Sequence, residues 1–116
     1  FNYSFTRMLP KLDEIGNEGR PFAMEHWGLV TYGAPKIMVD ESTASLKEKI
    51  DCAAVLAHEI AHQWHGNLVT CKWWSDIFVN EGFAEFWESI TIDQIRPELH
   101  ILDTQVTMTN DIMIKD

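Results

Sequence analysis

His58-Glu59-Ile60-Ala61-His62 sets two imidazoles four residues apart with a carboxylate beside the first. On a helix, residues four apart are neighbours at roughly 5–6 Å between Cβ atoms, so both rings can reach a single ion. Zinc suits neutral imidazole at about 2.0–2.1 Å, and a catalytic zinc takes three protein ligands and leaves its fourth position to water. Glu59 lies about 100° round the helix from His58, better placed to accept a proton from that water than to bind the metal. Taken alone, the pattern is as often a pair of packed histidines as a metal site. Glu81, in Asn80-Glu81-Gly82-Phe83-Ala84, changes the balance: it falls on a second predicted helix across a turn-rich connection and can return as an oxygen ligand. Two histidines and one glutamate form a catalytic zinc set, one ion per chain.

The elements that must carry these residues are legible nearby. Ser45-Leu46-Lys47-Glu48 is a capping box, and the helix it opens is expected to run to about His65 with Gly66 as terminator. Ala57 and Ala61 flank the histidines while Ala53, Ile60 and Trp64 lie opposite, so this helix is expected to be buried between layers. His65 is about 10.5 Å along the axis from His58, too far to share an ion. It reads as a non-ligand, as do His26 and His100. Asp76 is the expected N-cap of a helix over Ile77 to Ile95 that stops before Pro97. Glu81, Glu85 and Glu88 share one of its faces; Glu85, Glu88 and the neighbouring Asn80 are candidates for orienting the imidazole N–H groups, with solvated charges as the plain alternative. Gly82 inside this helix suggests a close backbone approach to the first, and Trp73 and Trp74 read as core anchors, with substrate platforms as the alternative.

Upstream, Phe1, Tyr3 and Phe5 alternate with polar residues, as in a half-buried strand. Lys11 to Ile15, Trp27 to Tyr32 and Ile37 to Val39 read as short strands, with a loop at residues 16–21 and a turn at Gly33-Ala34-Pro35. Glu25 would then stand at the start of an edge strand along a cleft, or be a solvated loop acid. Leu99, Leu102, Val106, Thr109 and Met113 recur at helical spacing, giving a third helix from Pro97 onward. The fold class expected is α+β: a strand and loop part over residues 1–40, then a predominantly helical zinc-binding part over residues 41–116.

With 116 residues, 46% of them hydrophobic, the chain can bury a real core. A net charge of −9 argues against nucleic acid as a partner. Two cysteines, Cys52 and Cys71, are too few for a disulfide framework. No apolar run reaches the roughly 20 residues that span a bilayer, and the opening residues are not expected to form a cleavable signal, although a membrane anchor could lie outside this stretch.

His58-Glu59-Ile60-Ala61-His62-Gln63-Trp64, Gly66-Asn67-Leu68-Val69-Thr70, Trp73-Trp74 and Asn80-Glu81-Gly82-Phe83-Ala84, with residues 22–32 upstream, resemble the zinc aminopeptidases related to aminopeptidase N, within the gluzincin group. The likeness covers roughly residues 10–96. It implies a piece of a larger thermolysin-like catalytic domain, zinc held by His58, His62 and Glu81, and Glu59 as general base. Ala23, Met24 and Glu25 match the family's Gly-Ala-Met-Glu-Asn motif, which implies that Glu25 grips the α-amine of a peptide with a free N-terminus, with Glu81 sharing the contact. For residues 1–10 it implies the end of a helix and a loop instead of a strand. Phe22 and His26 replace the motif's glycine and asparagine. The family's oxyanion-stabilising tyrosine follows the glutamate ligand, whereas Tyr3 and Tyr32 both precede the zinc helix. A zinc endopeptidase, a related epoxide hydrolase and a non-catalytic binding or receptor homologue are the alternatives. The resemblance implies further domains of the parent chain as partners and a cell-surface, membrane-anchored enzyme, with a cytoplasmic one as the alternative.

Overall fold

The computed structural model describes residues 4–7 and 9–102. Strands β1 (Asp13–Asn17) and β2 (Leu29–Gly33) pair in parallel, with Asp13 opposite Leu29 and Asn17 opposite Gly33. On the other side of β2 the chain at residues 22–24 runs antiparallel: Met24 and Thr31 exchange backbone hydrogen bonds of 2.8 and 3.0 Å, and Gly33 N donates to Phe22 O. β2 is therefore central. Val30 and Tyr32 are sealed from solvent while Leu29 stands exposed, the alternation that a strand with one covered face requires. Burial, then the Glu14 carboxylate that accepts from its hydroxyl, pushes the Tyr32 phenol well above its ordinary pKa.

Both strands start two residues later than expected, at Asp13 instead of Lys11 and at Leu29 instead of Trp27. The strand expected over Ile37 to Val39 does not form. Instead β2 runs straight into a single helical turn, α1 (Ala34–Ile37), because Pro35 in the first turn presets φ and lacks only an N–H that the turn leaves unused. Phe5–Arg7 is a 3₁₀ turn, which agrees with the helix-end reading of that stretch; Phe1, Tyr3 and Met8 lie outside the described residues.

Helix α2 (Leu46–Ala61) opens on the capping box, with Glu48 N donating to Ser45 Oγ at 3.3 Å and Ser45 N to Glu48 Oε2 at 2.8 Å. It ends at Ala61, short of the expected His65. Gln63 and Trp64 switch to tighter bonds onto Ile60 O and Ala61 O, and Asn67 N reaches back to His62 O, so the chain curls into a knot of turns before Gly66. Helix α3 (Ile77–Ile95) follows a 3₁₀ turn at Trp74–Asp76. Asp76 occupies its N-cap position without a side-chain cap; its carboxylate instead accepts from Ser75 Oγ.

Helices α2 and α3 pack on each other around Ala57, Ile92, Leu99 and Ile101, with Ile50, Ala53 and Ala54 alongside. The packing departs from the sequence pattern at four places. A Cβ built on Gly82 meets nothing within 4 Å, so this glycine faces outward and marks no helix–helix approach. Trp73 and Trp74 are 70% and 74% exposed, so they are not core anchors. The second half of α2 is covered on two opposite sides, at Ala57 with Ala61 and at Glu59, but not all round: Ile60 is exposed and lines an open apolar groove with Ala53, Trp64 and Ile95. His100 has φ +49°, which interrupts the helix expected from Pro97, and positions beyond 102 lie outside the described residues. Among the described residues no helix is long and apolar enough to cross a membrane.

Candidate metal centre

His58 and His62 lie on the last turn and at the C-cap of α2, and Glu81 on the second turn of α3. The packing of the two helices brings their ligand atoms together. His58 Nε2 and His62 Nε2 are 3.1 Å apart, and Glu81 Oε2 is 3.3 Å from the first and 3.5 Å from the second. Tetrahedral bonds of about 2.0–2.1 Å to zinc would place neighbouring ligand atoms about 3.3–3.4 Å apart. The triangle fits that ion, and these three residues could hold one. Two imidazole nitrogens facing each other at this distance repel unless a proton or a cation lies between them. Glu81 is 52% exposed, which leaves the open side of the triangle to solvent and substrate.

The opposite ring nitrogens are held. His58 Nδ1 lies 3.1 Å from Glu88 Oε2, and His62 Nδ1 donates to His65 O at 2.9 Å. Each contact fixes a tautomer that leaves an Nε2 lone pair for a metal. The Asn80 amide packs 3.5 Å from His62 Nδ1. Gly66, at φ +125°, makes room for it: a Cβ there would fall 2.7 Å from Asn80 Oδ1. Glu85 is exposed, and the Nδ1 atoms of both imidazoles are met by other groups. His65 stacks on Phe83 at 4.9 Å between centroids and stands outside the ligand triangle, as its spacing predicts. His26 and His100 stand outside it too.

Carboxylates crowd this centre. Glu59 is 6% exposed, and its Oε2 is buried with no hydrogen-bond partner. Desolvation pushes its pKa up to about 7; His58 opposes the rise, and Glu25, Glu81 and Glu88 add to it. The Glu88 contact outweighs burial at His58, whose pKa is pushed up to about 8. An excess of negative charge around two imidazoles favours a bound cation.

Glu25 Oε1 lies 3.8 Å from His62 Nδ1, one imidazole ring away from the triangle. It follows the paired segment at residues 22–24 instead of opening a strand. A cleft of about 310 Å³ opens beside it, lined in part by Asn67, Trp73, Trp74 and Asn80. Met24 is half-exposed, Ala23 is partly buried, and Phe22 is 78% exposed.

The sequence profile described as "Peptidase family M1 domain" matches residues 1–116. This chain belongs to peptidase family M1. Among curated M1 relatives it is 43% identical over 109 residues to endoplasmic reticulum aminopeptidase 2 of Homo sapiens, covering 93% of this chain and 11% of that protein. It is 43% identical over 115 residues to human aminopeptidase N (96% and 11%). Human endoplasmic reticulum aminopeptidase 1 is 46% identical over 102 residues (87% and 11%). The chain therefore spans about a tenth of the length of these M1 proteins.

Sequence reasoning gave no role to Gln63 or Asn67. Gln63 is 1% exposed, and Asn67 is partly buried; both contact the backbone around Glu25. An amide directly after a candidate ligand in an apolar stretch is the available signal, since a buried amide must find partners.

Proposed function

We propose that this stretch is the metal-binding part of a thermolysin-like catalytic domain, and that the full-length protein is a zinc aminopeptidase. The observation that carries the reading is the tetrahedral spacing of His58 Nε2, His62 Nε2 and Glu81 Oε2. His58, His62 and Glu81 would hold the zinc, which would supply Lewis acidity to water and to a carbonyl. Glu59, buried beside the triangle, takes a proton from the attacking water and passes it to the departing amine. Glu88 and the His65 carbonyl hold the imidazoles in their ligating tautomers. Glu25 receives the substrate's α-ammonium and limits attack to the first peptide bond, with Glu81 sharing the contact. Tyr32 is sealed and bonded to Glu14, so it is not free to serve as the oxyanion donor. By analogy with the relatives named for the endoplasmic reticulum, we assign it to the membrane or secretory pathway.

Removing the metal from the full-length protein with a chelator should abolish release of an amino-terminal residue, and adding one equivalent of zinc should restore it. Glu59→Gln should retain zinc and lose hydrolysis. Hydrolysis that survives complete metal removal, or full activity in Glu59→Gln, would overturn the assignment.

A further inference from the structure

The turn that carries Glu25 is gripped by two amide side chains from the segment that closes the metal helix. We propose that Gln63 and Asn67 are positioning residues which fix Glu25 relative to the ligand triangle, and so set the preference for a free α-amine; this rests on the aminopeptidase reading. Asn67 Nδ2 donates to Glu25 O at 2.6 Å. Gly28 N donates to Gln63 Oε1 at 3.1 Å, while Gln63 Nε2 faces the carbonyls of Glu25 and His26 at 3.4 and 3.5 Å and that of Glu59 at 3.5 Å. Gln63 is 1% exposed, so water cannot replace these partners if the turn slides.

The same short segment holds the metal side. His62, a member of the triangle, directly precedes Gln63, and its carbonyl accepts from Asn67 N at 3.0 Å. The turn is also tied to the sheet, through Asp13 N to Gly28 O at 2.9 Å and the Met24–Thr31 pair. Gly28 has φ +77°, a conformation that favours glycine and that presents its N–H to Gln63. Amine anchor and metal ligand thus share one rigid joint. Shifts of about 1 Å in such a joint are enough to misplace a reacting group.

The test uses the zinc-loaded full-length protein and two probes, leucine hydroxamate and isocaproyl hydroxamate, which differ only in the α-amine. Calorimetry gives the ratio of their affinities, and metal analysis gives zinc content. The wild type should prefer the amine-bearing probe by about 10- to 100-fold, the span of a charge-assisted hydrogen bond. Asn67→Ala, Asn67→Asp and Gln63→Met should each shrink that ratio about tenfold, with zinc content and isocaproyl hydroxamate affinity unchanged. Asn67→Asp keeps the shape and removes the donor, so the test stands even where the buried Gln63→Met variant fails to fold. A ratio retained in both Asn67 variants while Glu25→Ala abolishes it would overturn the positioning role and leave the aminopeptidase reading intact. A ratio unaffected by Glu25→Ala would overturn both.

Discussion

Gly66→Ala asks two things of the metal centre at once. The backbone there has φ +125°, a region essentially reserved for glycine, where a side chain costs about 1–3 kcal/mol. The new Cβ would sit 2.7 Å from Asn80 Oδ1 and 3.3 Å from His62 Nδ1. Asn80 is 9% exposed and short, so it cannot swing clear without disturbing His62, which is 1% exposed. Losing the hydrogen bond from His62 to the His65 carbonyl adds about 0.5–1.5 kcal/mol. The expected destabilisation is about 2–4 kcal/mol, with zinc affinity down about 10- to 100-fold because the ring is no longer held. Urea denaturation of the metal-free full-length protein reads the first, and competition against a chelator the second. Gly82→Ala is the counterpart: nothing lies within 4 Å of its Cβ position and it sits inside α3. The same change should stabilise there by about 0.5–1 kcal/mol. Unaltered stability and unaltered zinc affinity in Gly66→Ala would refute the reasoning.

Other outcomes follow from the same geometry. Glu59→Gln should slow peptide hydrolysis by about 10²- to 10⁴-fold, the worth of a general base, in steady-state assays at full zinc occupancy. Ile92→Ala, at the fully buried centre of the packing between α2 and α3, should cost about 2–5 kcal/mol in denaturant titrations. Ser45 holds the Glu48 carboxyl below its ordinary value of 4.5, so the unfolded chain binds more protons than the folded one as pH falls. The start of α2 is therefore stabilised above pH 4.5 and loses that support on acidification below it. Stability measured from pH 7 down to pH 3 should fall less steeply in Ser45→Ala.

How much was legible varied with the range of the interactions. The capping box, the bounds of α3 and the spacing of the histidines are local, and the structure places them where the sequence indicated. The end of α2 is not legible in the sequence because the turns after Ala61 are stabilised by contacts such as Asn67 N to His62 O, which no periodicity encodes. Ile37 to Val39 looked like a strand by residue type, yet Pro35 started a helical turn that consumed Ile37. Trp73, Trp74 and Ile60 were assigned to the interior on size and polarity alone, and a covering surface is not something that residue type supplies. Gln63 and Asn67 carry no local signal because their partners are backbone groups some forty residues away, at Glu25 and Gly28. The approach of Glu81 to the two imidazoles is also long-range, but there the chemistry of the residue types gave a reason to look for it.

The most direct measurement is release of the amino-terminal residue from a peptide with a free amine and from its acetylated twin by the zinc-loaded full-length protein. A zinc aminopeptidase anchored through Glu25 cleaves only the free-amine peptide. Equal cleavage of the two peptides would contradict it.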